Sequence, residues 1–181
     1  MKIKLSTQII NWSDEEISAL RFFFINALQD IYSAEKNLVK VLPKMVQKSV
    51  LSDLRVTLEN HLAETENQIV RLEQVFASID EEPASKESET LEGLIREIEV
   101  ITSASNKTSI PRDLGIIFAG QKIKHYEIAS YGTLKTIAEV LGFTQASNLL
   151  NQTLQEEITT DSRLTQIATS QIEQSGMNNK S

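Results

Sequence analysis

Residues 119–142, AGQKIKHYEIASYGTLKTIAEVLG, contain the pattern that decides the fold. They continue a stripe of Ile116, Gly120, Ile123, Ser130, Leu134, Ile137 and Leu141, spaced by three, four or seven residues, the period of one helix face. Pro111 falls where a first helical turn tolerates proline, and Gly142 suits the left-handed residue that closes a helix. The spacing therefore predicts one long helix, with an acid, Glu127, on its apolar stripe four residues after Ile123.

The pattern recurs on both sides. Upstream, Ser13 is a cap followed by Asp14, Glu15 and Glu16, which favour the positive end of a helix dipole. Its stripe is Leu20, Phe24, Ala27, Ile31, Leu38, Leu42 and Met45, and Pro43 predicts a bend or an early end. A second long helix begins near Ser52 with the stripe Leu54, Leu58, Leu62, Ile69, Leu72 and Phe76. Residues 79–89, IDEEPASKESE, break the period; a shorter amphipathic piece, 90–103, follows before the polar approach to Pro111. A fourth long helix starts near Thr144 and carries Ala146, Leu150, Leu154, Leu164, Ile167 and Ala168. No strand pattern competes. The expectation is an all-α four-helix bundle, two hairpins joined by a connection long enough for a ferritin-type crossover and holding a short extra helix. One domain spans 1–175, with a polar tail at 176–181.

Composition supports this. The 181 residues, 40% hydrophobic and 24% charged, can bury a core. A net charge of −7 argues against a nucleic-acid surface. No window approaches the roughly 18 apolar residues of a membrane span, and the N-terminus lacks the apolar core of a secretory signal. Cysteine is absent, which excludes thiolate chemistry and agrees with a cytoplasmic location. A P-loop, a nucleophile elbow and a dinucleotide fingerprint are all missing.

Each stripe is broken by acid near its middle. Glu35 lies between Ile31 and Leu38, Glu127 between Ile123 and Leu134, and Glu157 between Leu154 and Leu164, with Asp161 one turn further on. In HLAETENQI, residues 61–69, His61 and Glu64 are i, i+3 neighbours bordering the face of Leu58 and Leu72. Glu35 and Glu64 are 64 − 35 = 29 residues apart, and Glu127 and Glu157 are 157 − 127 = 30, so two antiparallel hairpins can hold their acids at one height. Ionised carboxylates gathered in a core repel and lose hydration, and they need protons, cationic side chains or metal. The stripes place no basic residue at that height except Lys124, at an edge. A divalent metal is the economical answer, and carboxylates with imidazole suit manganese, iron or zinc. The alternative is a metal-free bundle used for assembly or partner binding.

Four segments, LQDIYSAEKNLVKVLPKM, HLAETENQIVRLEQVF, AGQKIKHYEIASYGTLKTIAEVLG and LLNQTLQEEITTDSRLTQIA, together resemble the YciF-like branch of the ferritin-like superfamily, bacterial proteins linked with stress responses. The resemblance covers roughly residues 18–172. It implies a ferritin-like bundle with a site for two divalent metal ions, often dimeric; the oxygen-rich donor set makes those ions iron or manganese, with zinc the alternative. Carried across, the superfamily's glutamates match Glu35, Glu64, Glu127 and Glu157. Its Glu-x-x-His pattern is absent, since Asn67 and Thr160 stand at the histidine positions, and His61 and Asp161 are the substitutes within reach. That departure weakens transfer of any particular oxidase or peroxidase activity. Tyr32 and Tyr131 lie one turn from Glu35 and Glu127, as hydrogen-bond partners or core packing. His125 points away from Glu127, and the run Phe22, Phe23, Phe24 covers more than one face, suggesting a subunit interface.

Overall fold

The computed structural model describes residues 2–5, 8–86, 89–103 and 109–178, with side chains over 12–86, 89–103 and 109–173. The described residues form five helices in succession: α1 (Asp14–Lys48), α2 (Ser52–Ser78), α3 (Glu89–Ser103), α4 (Ile110–Leu141) and α5 (Thr144–Asn178). Before them, β1 (Lys2–Leu5) pairs antiparallel with β2 (Gln8–Asn11). These strands, absent from the sequence expectation, are too short to show a period and do not alter the all-α class. The backbone of α5 runs into the expected tail, of which residues 179–181 lie outside the described part.

Local chemistry sets the helix ends. Ser13 and Glu16 form a reciprocal capping box at the start of α1. Ser109 accepts from the Arg112 N–H at the start of α4, where Pro111 occupies the first turn. Gly142, at φ 76°, takes the left-handed conformation that ends α4. Pro43 does not end α1, which continues to Lys48. A proline inside a helix costs about 3 kcal/mol, but burial of Val41, Leu42 and Met45 around it holds the last turns. Ser49 then closes that end, its N–H and hydroxyl both donating to the Met45 carbonyl.

Antiparallel pairs frame the bundle. Tyr32 meets Glu73 across α1 and α2, and Gln121 meets Thr165 across α4 and α5. Glu35 meets Tyr131 across α1 and α4, and Gln68 meets Glu157 across α2 and α5. α2 and α4 are therefore parallel and diagonal. The connection between them travels the length of the bundle, with α3 running alongside α1 and against α4 through Lys44–Glu99 and Lys122–Glu97. This is the ferritin-type crossover.

Asp113 fastens the end where α4 begins. Its Oδ2 accepts from the backbone N–H groups of Val50 and Leu51, at 2.9 and 2.7 Å. Leu51 caps α2 without any side-chain bond of its own. Asp113 thus caps α2 from another helix.

Candidate metal centre

Four helices each send a polar line into the middle of the bundle. From α2 come His61, Thr65 and Gln68, at steps of four and three; from α4 come Lys124, Glu127 and Tyr131, at steps of three and four. Glu35 of α1 and Glu157 of α5 complete the layer. Glu35, Glu127 and Glu157 have no solvent exposure, His61 has 3% and Lys124 2%.

Lys124 is the hub. Its Nζ contacts Oε2 of Glu127 and Oε2 of Glu157, and lies 2.7 Å from His61 Nε2. An ammonium has only donors, so His61 Nε2 accepts and the ring proton belongs on Nδ1. Burial and the Lys124 charge push the His61 pKa well down, keeping the ring neutral. Gln68 donates to Glu157 Oε1 at 2.7 Å and to Glu156 Oε2 at 3.0 Å, and Arg71 clamps Glu156 with two bonds of 2.8 Å. Tyr131 donates to Glu35 Oε1 at 2.6 Å. Among the described residues, Glu35 Oε2, Glu127 Oε1, Gln68 Oε1 and His61 Nδ1 are buried without a hydrogen-bond partner.

The electrostatics follow from this crowding. Burial and repulsion from Glu157 raise the Glu35 carboxyl to about 8, against the pull of Lys124 and Tyr131. The same causes raise Glu127, with Lys124 opposing them. Burial alone would favour neutral Lys124, but the charges of Glu127, Glu157 and Glu35 outweigh it and keep the ammonium protonated. Burial and the Glu35 charge raise the Tyr131 hydroxyl, which therefore remains a donor. If all three carboxyls ionise, the layer carries −3 + 1 = −2. Protons or a cation must supply the balance.

Of the six residues expected as ligands, the structure brings four into this layer: Glu35, His61, Glu127 and Glu157. His61, Glu127 and Glu157 each offer a ligating atom within 4.8 Å of the others. Glu64 does not join them. Its side chain is 38% exposed, with Oε2 4.0 Å from His61 Nδ1 and accepting from the Thr160 hydroxyl at 3.2 Å. The reason is helical phase: the inward line of α2 passes through Thr65, leaving Glu64 at the rim of a cleft. That solvent-open cleft, of about 250 Å³, is also lined by Asp53, Thr57, Asn60, Thr160 and Arg163. Asp161 also misses the layer, turning its Oδ2 toward exposed His125, 3.4 Å away. Tyr32 faces Glu73 and packs edge-on against Phe76, away from the acids.

Sequence reading missed the centrality of Lys124. The signal is the sequence of steps Gly120, Lys124, Glu127, Tyr131, Leu134, Ala138, alternately four and three. It is blurred because α4 packs against α1, α5 and α3, so apolar residues surround it. The phenylalanine run divides as well: Phe24 is buried core, while Phe22 and Phe23 are 71% and 53% exposed.

A family model described as Domain of unknown function (DUF892) matches residues 19–176. The chain belongs to this family. It is 40% identical over 156 residues to Protein YciF of Escherichia coli K12, covering 86% of this chain and 93% of that protein. The crystal structure of that protein, described as a stress protein, superposes with TM-score 0.81 over 85% of this chain and 97% of its own. YcfI of Rhodopseudomonas palustris, described as a candidate structural protein, is 34% identical, with TM-score 0.78 over 85% and 98% of the two chains. A Xanthomonas campestris protein at 19% identity shares the fold, with TM-score 0.70 over 90% and 99%. The YciF-like, ferritin-like reading of the sequence therefore holds.

Proposed function

We propose that this chain binds a divalent metal ion, iron or manganese, in the layer of Glu35, His61, Glu127 and Glu157, and serves a stress response like that named for its YciF relative. The observation that carries the reading is the surplus of buried acceptors: three carboxyls share one ammonium, and Glu35 Oε2 and Glu127 Oε1 have no donor among the described residues. The acceptors left over are oxygens, since His61 Nε2 is taken by Lys124, and an oxygen-rich set suits manganese or iron(II). With all three carboxyls ionised on ligation, the net −2 suits one divalent ion. A pair of ions is harder to accommodate, because Glu64 and Asp161 stand outside the layer.

The chain's own residues would prepare the site. Tyr131 fixes Glu35 through its hydroxyl, and Gln68 fixes Glu157, so two carboxylates are aimed before any ion arrives. The cleft beside Glu64 gives a polar approach from solvent to His61. A redox-active ion held there would supply electron exchange with oxygen, peroxide or iron. The groove between α1 and α4, lined by Phe23, Ala27, Asp30, Tyr126 and Ala129, offers an apolar face for a homodimer.

A metal-free structural layer is the second reading, favoured by the ammonium already lodged between Glu127 and Glu157. Equilibrium dialysis against Mn(II) separates the two. Bound metal that Glu127→Gln removes is expected. No binding at millimolar Mn(II), or binding that Glu127→Gln leaves intact, would return the layer to the structural reading.

A further inference from the structure

We infer that Lys124 is a tethered cation filling one of two cation positions in the layer, so that it sets the metal stoichiometry of this chain at one. The inference rests on the metal-binding reading above and concerns how many ions the layer accepts.

Position is the first argument. His61, Glu127 and Glu157 are the residues whose ligating atoms gather within 4.8 Å, and the Lys124 ammonium contacts all three. It occupies His61 Nε2 and one oxygen of each carboxylate, atoms a metal ion would otherwise take. These partners come from α2, α4 and α5, so the lysine bridges three helices as a multidentate ion does.

Confinement is the second. Lys124 is 2% exposed, and the space beside it holds a void of only about 10 Å³. That void is lined by Leu38, Leu42, Met45, Leu58, Ile123 and Leu164 among others. A space of this size is at the lower limit for a single water. Apart from His61, which it already contacts, and the Thr160 hydroxyl, the ammonium meets only apolar side chains on that side, with no room for a hydration shell.

Charge is the third. Once an ion has displaced the protons that burial holds on Glu35 and Glu127, three carboxylates and one ammonium leave −3 + 1 = −2, which one divalent ion neutralises. Two such ions would leave +2 in a buried layer, an unfavourable charge far from water. An acid at position 124 would change the sum to −4, which two divalent ions balance. Among the described residues of the layer, the acceptors still free are two carboxylate oxygens, Glu35 Oε2 and Glu127 Oε1, and one amide oxygen, Gln68 Oε1, a set that suits one site.

The test compares the full chain with Lys124→Glu and Lys124→Gln, counting Mn(II) per chain by equilibrium dialysis and by native mass spectrometry. Circular dichroism and melting check that each variant folds. The expected counts are one ion for the unaltered chain and two for Lys124→Glu. Lys124→Gln removes the competing charge and should bind its first ion at least about tenfold more tightly. Two ions in the unaltered chain overturn the inference, as does folded Lys124→Glu that stays at one. If Lys124→Glu does not fold, an unchanged Kd in Lys124→Gln overturns it equally. If the unaltered chain binds none while Lys124→Glu binds metal, the metal-binding reading falls and the tethered cation stands. If none of the three binds metal, both fall.

Discussion

Replacing Glu35 with Gln isolates the electrostatic cost of the layer. The Glu35 carboxyl titrates near 8 in the folded chain against 4.5 ordinarily. Its folded pKa is raised, so between those values the folded state holds a proton that the unfolded state has lost. Stability falls as pH rises through this window, by about 1.4 kcal/mol per unit. Across the roughly 2.5 units from pH 5.5 to 8 this amounts to about 3 kcal/mol. Glu35→Gln keeps an acceptor for Tyr131 and the volume of the side chain while abolishing the titration. In metal-free protein, urea denaturation should show the wild type losing about 3 kcal/mol more than the variant over that range. The two should be closest in stability below pH 4.5, where folded and unfolded Glu35 both hold the proton, and the variant should be the more stable at pH 8. Parallel pH profiles would show that Glu35 stays ionised or hydrated, and the buried-layer account would fail. Adding Mn(II) at pH 8 should restore stability to the wild type, by about 2.7 kcal/mol at a hundredfold excess over Kd.

Three further outcomes follow from other parts of the fold. Asp113→Ala removes the acceptor for two backbone N–H groups at the start of α2 and should cost about 2–3 kcal/mol by chemical denaturation; a loss under 0.5 kcal/mol would mean water replaces the carboxylate freely. Tyr131→Phe takes away the hydroxyl that donates to Glu35, which should raise that carboxyl further and lower stability at pH 8 more than at pH 5.5, as measured by the same urea titrations. Sedimentation should find a dimer at micromolar concentration that Phe22→Ser/Phe23→Ser converts to a monomer with little change in melting temperature; a monomeric wild type would remove the groove between α1 and α4 as an interface.

Some of this architecture could be read from residues alone, for identifiable reasons. Ser13, Pro111 and Gly142 mark helix ends because each satisfies a local backbone requirement that nothing distant overrides. Pro43 misled because its cost is local while the packing that offsets it, around Leu42 and Met45, is tertiary. Glu35, Glu127 and Glu157 were legible as acids breaking apolar stripes. Glu64 was not separable from Thr65 by pattern, since a rotation of α2 by a fraction of a turn decides which faces inward. Asp161 failed differently: its partner, His125, belongs to another helix, and no spacing rule connects them. Lys124 was visible as an edge residue, yet its role depends on α3 covering the opposite side of α4. Sequence periodicity assumes one buried face, and α4 has more than one.

The central claim is that the layer around Lys124 takes one divalent ion. Diffraction at the manganese absorption edge, from crystals grown with Mn(II), tests it most directly. The account predicts one anomalous peak per chain among Glu35, Glu127, Glu157 and His61, within about 2.0–2.3 Å of carboxylate oxygens, with the Lys124 side chain still inside the bundle. Two peaks in that layer, or manganese only at the protein surface, would contradict it.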